Sequence, residues 1–189
     1  MFCKMKIYFL AFIISIYALS LKAQTTAVKW ATQETFFEDL VGKVLPDFKG
    51  RTVKGLPFAK KSLNDQIVLI NFWFEKCPPC IKEMPLLNSL VSKYKHSGIR
   101  FIAVTDDPVI SARKFQQNNG FQYEVVCLTQ DEIGRLNINH GFPTNVLIGK
   151  DGKIIYATAN LSLDEDLPEL KDKTVRFEAL LKAEIARTK

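Results

Sequence analysis

The amino-acid sequence predicts an α/β fold in which a mixed central sheet is flanked by helices. Strand-like apolar runs at 67–73 and 100–105 each precede a segment with helical spacing, an alternation typical of α/β proteins. Two further runs, 144–148 and 153–157, are joined by an Asp-Gly pair that favours a hairpin turn. Strand–helix alternation followed by a hairpin and a closing helix indicates a mixed sheet.

The residues before the first buried strand have less regular patterns. A polar lead-in at 26–40 ends in a predicted short helix at 33–40. Residues 42–58 contain scattered glycines and prolines between short apolar runs, which indicates either hairpin strands or an ordered loop. The run at 67–73 carries apolar residues on both faces, as expected of a strand in the middle of a sheet.

Residues 79–94 are predicted to form an amphipathic helix, because apolar residues recur three and four positions apart. Pro85 is expected to kink this helix, since it removes a backbone donor and clashes with the preceding turn. The apolar stripe consists of Ile81, Met84, Leu87, Leu90, Val91 and Tyr94.

The remaining elements follow from the same two periodicities. Gly120 is expected to stop the second helix, and Pro168 to start or interrupt the closing one. Strands are predicted at 100–105 and 123–128, and helices at 108–119, 131–136 and 163–187.

Residues 1–23 have the pattern of a cleavable signal peptide. Two lysines precede an apolar run at 7–19 that is short for a membrane span, and small-residue cleavage sites follow Ser20 and Ala23. Cleavage after Ala23 is favoured, and an uncleaved N-terminal anchor is the alternative. Cleavage predicts an exported, periplasmic protein without stable membrane insertion.

Without residues 1–23, the chain has 23 basic and 20 acidic residues, so its net charge falls from +6 to +3. The lysines are spread among acids, which predicts a solvated surface and no nucleic-acid partner. The remaining 166 residues suit one domain. We expect a lead-in at 24–40, a domain at 41–160 and, at 161–189, a C-terminal helix packed on that domain.

Two cysteines, Cys77 and Cys80, lie where the first buried strand gives way to a helix. The first cysteine of such a pair faces unpaired backbone N–H groups and the positive end of the helix dipole, which stabilise its thiolate. The second lies about one turn further on, close enough to attack a mixed disulfide formed by the first. This arrangement indicates a thiol–disulfide exchange centre that requires no metal and no organic cofactor.

A structural disulfide or half of a metal site is the alternative for this pair. A zinc site would need two more ligands, and only His96, His140 and Cys127 remain, at no recognisable ligand spacing. Cys127 lies in an apolar strand, which favours an inert buried thiol over a redox partner. His140 is expected in an exposed loop.

Five segments of the chain carry a recognisable combination of motifs: GKVLPDF at 42–48, NFWFEKCPPC at 71–80, EMP at 83–85, GFPT at 141–144 and LIGKDGK at 147–153. In this order and spacing they resemble the TlpA/ResA-like exported thiol–disulfide oxidoreductases of the thioredoxin superfamily. The resemblance covers about 41–156. It implies a thioredoxin-like fold with an N-terminal extension and a strand–helix insert at 123–136.

The resemblance implies roles for several residues around the pair. Cys77 corresponds to the attacking cysteine, Cys80 to the resolving one, and Pro143 to a cis-proline beside them. The backbone of Phe142 would hold an extended substrate strand across the site. Trp73 would pack under the cysteines.

Glu83 resembles an acidic residue that tunes thiol pKa values or relays a proton. On helix periodicity alone it would be an ordinary solvated charge, so both interpretations stay open. Asn71 stands where cytosolic thioredoxins have a buried acid, which leaves Glu83 as the candidate proton acceptor. Lys76 stands where many relatives have Trp and adds a positive charge that favours the neighbouring thiolate. Phe142 is bulkier than the usual Val or Ile and is expected to narrow the substrate groove.

The resemblance also implies partners. Protein thiols and disulfides would be the substrates, and a membrane thiol reductase would be the electron donor. A reductase, acting for example in cytochrome c maturation or copper-site assembly, is favoured over an oxidase. Two alternatives come from other classes: a non-catalytic interaction module that uses the groove near Phe142, and a metallochaperone.

Overall fold

A seven-stranded sheet forms the centre of the computed structural model, which describes residues 37–137 and 141–188. The predicted signal peptide, residues 24–36 of the lead-in, the first half of the helix predicted at 33–40, and His140 lie outside the described residues. The strands are β1 Lys49–Thr52, β2 Pro57–Ala59, β3 Ile67–Phe72, β4 Ile99–Thr105, β5 Glu124–Cys127, β6 Thr144–Ile148 and β7 Ile154–Ala159.

The strands follow the order β2-β1-β5-β4-β3-β6-β7. β4 is parallel to both of its neighbours, β3 and β5, whereas every other pair in the sheet is antiparallel. The predicted mixed sheet is therefore confirmed. Of the two alternatives for 42–58, hairpin strands rather than an ordered loop are correct: β1 pairs with β2, which extends one residue further, to Ala59. The predicted Asp-Gly turn joins β6 to β7, with the Gly152 N–H donating to the Gly149 carbonyl oxygen over 2.9 Å.

Four α-helices flank the sheet within the described residues. Pro85 does not end the first of them, and Pro168 begins the last, where a missing N–H is tolerated in the first turn. Gly120 caps the second helix with φ +61°, in the left-handed region, as expected. The helices are α1 Pro78–Tyr94, α2 Val109–Asn119, α3 Gln130–Asn137 and α4 Pro168–Arg187, and a 3-10 helix spans Lys60–Leu63.

β3 positions the rest of the molecule because all six of its residues are buried. Its side chains alternate between the two faces of the sheet. Ile67 and Leu69 join an apolar core shared with α1, α2 and α4, while Val68, Ile70 and Phe72 join a second core that includes residues of α3 and of the N-terminal segment. The strand ends one residue earlier than predicted, and its C-terminal end leads directly towards the cysteine pair.

Candidate redox site

Cys77 and Cys80 form a disulfide at the start of α1, with their Cα atoms 5.2 Å apart. Cys77 is the residue that caps the helix, and prolines occupy the first two helical positions. Both cysteines are almost fully buried, with exposed fractions of 2% and 1%. Because proline has no N–H to lose and its φ angle suits a helix start, the Pro-Pro sequence stabilises the helix end that carries the disulfide.

The helix terminus provides a polar contact to one of the two sulfur atoms. The backbone N–H of Cys80 donates to the Cys77 sulfur over 3.3 Å. No acidic residue occurs in the first turn of α1, and the neighbouring Lys76 is exposed. Upon reduction, the Cys77 sulfur therefore lies where an N–H donor and the helix dipole both favour a negative charge.

Glu83 lies on the buried face of α1, only 4% exposed, and is not the solvated charge that periodicity alone indicated. Its carboxylate accepts hydrogen bonds from the side-chain amides of Asn71 and Asn145, at 2.8 and 3.1 Å, and from the backbone N–H of Leu161 at 2.8 Å. Burial raises the pKa of Glu83 to about 7, although these three donors oppose the rise. A buried carboxyl group with this pKa can gain or lose a proton near neutral pH.

The buried face of α1 is shifted relative to the prediction. Cys80, Glu83, Met84 and Leu87 are buried and have the spacing of a single helix face, whereas Ile81 is 39% exposed. The predicted apolar stripe was therefore wrong at Ile81. The spacing from Cys80 would have placed Glu83 on the buried face, but its charge concealed this.

The peptide bond between Phe142 and Pro143 is cis, as expected from the resemblance. Thr144 pairs with Phe72 in the register of β3 and β6, so Pro143 stands one residue beyond the paired end of β3. The Phe142 ring packs edge-on against Phe74, with ring centroids 5.2 Å apart. Phe74 belongs to the loop before Cys77, so this contact brings the segment at 142–143 to the loop of the cysteine pair.

Trp73 is fully buried in the same apolar core as both cysteines. Its ring packs against Phe115 and Phe121, at centroid distances of 4.9 and 5.9 Å. Among the described residues, no acceptor lies within hydrogen-bonding distance of its indole Nε1. The residue fills the core beside the site through its rings alone.

Cys127 is a free, buried thiol, as predicted. Burial, and to a lesser degree the charge of Asp107, raise its pKa to about 11. Nothing in the sequence pattern indicated a role for Asn145 or Leu161, which donate to Glu83, or for Asp107, which accepts from the Glu75 N–H. Each reaches the site through a strand or loop distant in sequence.

Comparisons with known proteins agree with this arrangement. The model of the AhpC/TSA family matches residues 41–157. The thiol-disulfide oxidoreductase ResA of Bacillus thuringiensis is 35% identical over 135 residues, covering 68% of this chain and 78% of its own length. ResA of Geobacillus kaustophilus is 30% identical over 146 residues, covering 75% and 84%. The thioredoxin domain of a thiol-disulfide oxidoreductase from Bacteroides vulgatus has a TM-score of 0.59 at 24% identity, covering 72% of this chain and 96% of that one, and confirms the thioredoxin-like fold.

Proposed function

Because this chain belongs to the AhpC/TSA family and is a thioredoxin-like thiol–disulfide oxidoreductase, we propose that Cys77 and Cys80 are its exchanging pair. The observation that carries the proposal is the disulfide at the first turn of α1, where the Cys80 N–H donates to the Cys77 sulfur. A thiolate at this position is stabilised before any substrate binds. Lys76, exposed beside it, adds a positive charge on the solvent side.

The exchange has two steps. The Cys77 thiolate attacks one sulfur of a substrate disulfide, forming a mixed disulfide and releasing the other substrate sulfur as a thiolate. The Cys80 thiolate then attacks the Cys77 sulfur, so the second substrate sulfur leaves and the Cys77–Cys80 disulfide forms. The substrate gains two electrons, and the pair loses them. A dithiol donor restores the reduced pair by the reverse steps.

Phe142 and Pro143 are proposed to hold the substrate during the exchange. Phe142 is partly exposed and packs on Phe74, in the loop that leads to Cys77. An extended substrate strand beside this segment would present its disulfide to Cys77. Trp73 and the apolar core beneath the cysteines would keep the pair rigid while the substrate is bound.

Glu83 is proposed to exchange a proton with the pair. Asn71, which donates to Glu83, has no titratable group, so the carboxyl with the pKa of about 7 is the buried proton acceptor on this face of α1. As a carboxylate it raises the pKa of nearby thiols by like-charge repulsion with their thiolates, and as a neutral carboxylic acid it does not. The proton on Glu83 thus couples the thiolate charge to pH.

The direction we propose is reduction of protein disulfides in the bacterial cell envelope, with a membrane thiol reductase as electron donor. The signal-like pattern of residues 1–23 supports export. Among the described residues, no helix is both long enough and apolar enough to cross a membrane.

The reduction potential of the Cys77–Cys80 pair tests the proposal. We expect a value close to the roughly −270 mV of thioredoxin, and a value near the roughly −120 mV of DsbA would instead indicate an oxidase. A pair that does not equilibrate with glutathione would indicate an interaction module. Tight, stoichiometric metal binding by the reduced protein would indicate a metallochaperone. Within residues 37–137 and 141–188, no group of three His, Cys, Asp or Glu side chains lies close enough together to hold a metal ion.

A further inference from the structure

The loop between β3 and the cysteine pair is held at two points, by the end of β4 and by the segment that follows β4. The backbone N–H of Trp73 donates to the Val104 carbonyl oxygen over 3.1 Å. Two residues later, the backbone N–H of Glu75 donates to Oδ2 of Asp107 over 2.7 Å. The first contact is main-chain only, so it is independent of side-chain identity. The second depends on one carboxylate.

Asp107 is itself oriented for this contact. The hydroxyl of Thr105, which is fully buried, donates to the same Oδ2 over 2.7 Å. In return, the backbone N–H of Asp107 donates to the Thr105 hydroxyl oxygen over 3.1 Å. The carboxylate is therefore fixed at the end of β4 by a reciprocal pair of hydrogen bonds, and it accepts from the loop in a short, charge-assisted geometry.

The tether acts close to the reactive sulfur. Glu75 precedes Cys77 by two residues. The N–H of Cys77 donates to the Phe74 carbonyl oxygen over 3.2 Å, which closes a tight turn that includes Glu75. The position of Glu75 thus determines where Cys77 lies relative to the N-terminus of α1. The Cys80 N–H can stabilise a Cys77 thiolate only while that position is kept.

We propose that Asp107 is a positioning residue for the Cys77–Cys80 pair: by holding the Glu75 N–H it keeps the Cys77 sulfur at the N-terminus of α1. This inference rests on the proposed function of the pair. The carboxylate has two opposing effects on the Cys77 thiolate. Its tether favours the thiolate, whereas its negative charge opposes it.

Two substitutions separate these effects. Asp107→Asn removes the charge but keeps an oxygen that can accept from Glu75, whereas Asp107→Ala removes both. We expect the Cys77 pKa, measured in the reduced protein from the pH dependence of alkylation, to be higher in Asp107→Ala than in Asp107→Asn by on the order of one unit, a tenfold smaller thiolate fraction. Weaker thiolate stabilisation favours the disulfide, so the equilibrium constant for oxidation of the pair by glutathione disulfide, which is reduced to two glutathione thiols, is expected to be about tenfold larger in the alanine variant.

The neighbouring Asp106 provides a matched control, because it is exposed and carries the same charge. Asp106→Asn is expected to leave both quantities unchanged. Thr105→Val removes the hydroxyl that orients Asp107 and keeps its charge, so it is expected to raise the Cys77 pKa even if Asp107→Ala does not fold. Equal Cys77 pKa values in the Asn and Ala variants, or an unmoved pKa in Thr105→Val, would overturn the inference while the proposed function stands. A pair that does not equilibrate with glutathione in the unmodified protein would overturn both.

Discussion

Glu83 and Asn145, 62 positions apart in the chain, meet through the side-chain amide of Asn145, whose nitrogen lies 3.1 Å from Oε1 and 3.3 Å from Oε2 of Glu83. The same Asn145 accepts a hydrogen bond from Asn71 over 3.0 Å. Two uncharged amides on adjacent strands therefore face one buried carboxyl group. Because neither amide carries a charge, they moderate the pKa of Glu83 without returning it to its ordinary value.

We expect the stability of the oxidised protein to fall between pH 4.5 and about 7. Glu83 has an ordinary pKa of 4.5 and a folded-state pKa of about 7, so in this window the folded state binds more protons than the unfolded state. Its contribution is present below pH 4.5 and is lost as the pH rises through 7. The shift corresponds to on the order of 3 kcal/mol in the free energy of unfolding, measurable by denaturant titration.

Glu83→Gln is expected to remove this fall. Glu184→Gln is the matched control, because Glu184 is also buried but its pKa is lowered, chiefly by hydrogen bonds from Arg187. The ionised Glu184 stabilises the unmodified protein except in acid, and Glu184→Gln should lack this stabilisation at every pH. The fall in the free energy of unfolding between pH 4.5 and 7 should remain in that variant. Superimposable pH profiles for Glu83→Gln and the unmodified protein would show that Glu83 does not titrate in this range.

Replacing Asn145 should raise the upper pH limit of the fall in stability that Glu83 causes. Asn145→Ala removes a donor to the Glu83 carboxylate, so the pKa of Glu83 is expected to rise further. The loss of stability should still begin near pH 4.5, the ordinary pKa of Glu83, but extend to higher pH. Asn71→Ala should act in the same direction but less, because its hydrogen bond lowers the pKa of Glu83 less than that of Asn145. A larger effect of Asn71→Ala would contradict this ranking.

Cys80→Ser is expected to accumulate a mixed disulfide through Cys77, because the resolving thiol is missing. Cys77→Ser should accumulate none. Mass spectrometry after incubation with a disulfide-bonded protein distinguishes the two, with Cys127→Ser as a control that retains full exchange. Full disulfide reductase activity in both Cys77→Ser and Cys80→Ser would rule out this pair as the centre.

Cys127 is expected to resist alkylation in the folded protein at neutral pH. Raising its pKa from 9.0 to about 11 lowers its thiolate fraction on the order of a hundredfold, and burial further restricts access. Peptide mapping after iodoacetamide treatment of the reduced protein measures this, with Cys77 as the internal reference. Equal labelling of the two residues would refute the inert-thiol interpretation.

Phe142→Val is expected to widen the proposed substrate groove. Exchange with a protein disulfide should then speed up relative to exchange with glutathione disulfide. The free energy of unfolding should fall by about 0.5–1.5 kcal/mol, because the edge-on contact with Phe74 is lost. Phe74→Leu loses the same contact but leaves residue 142 in place, so it should reproduce the loss of stability without the change in preference. Identical rate ratios in the two variants would argue against a groove at Phe142.

The central strand, the cysteine-bearing helix and the β6–β7 hairpin could be predicted because each has a local cause. Apolar residues on both faces mark β3, and an Asp-Gly pair marks the turn. Which face of α1 is buried was harder to predict, because Ile81 and Glu83 are placed against their polarity: Ile81 is partly exposed and Glu83 is buried. A charged residue can occupy a buried face when donors satisfy it, and the three donors to Glu83 come from elsewhere in the chain.

The partners of Glu83 and of the loop before Cys77 could not be predicted for the same reason. Asn145 faces Asn71 only through the register of β3 with β6. Leu161 contributes a backbone N–H, which any residue except proline could supply. Of the adjacent acids Asp106 and Asp107, the second accepts from Glu75, and their identical side chains do not distinguish them in the sequence.

The pairing of β3 with β6 also sets an order of events during synthesis. Asn71 and Asn145 are 74 positions apart, so a growing chain exposes Cys77 and Cys80 to its surroundings long before the ribosome has made the strand that closes the sheet beside them. Until β6 arrives, Glu83 lacks its Asn145 donor and the segment at 142–143 does not yet exist. The finished redox site therefore cannot form until residues on both sides of this 74-position interval have been made.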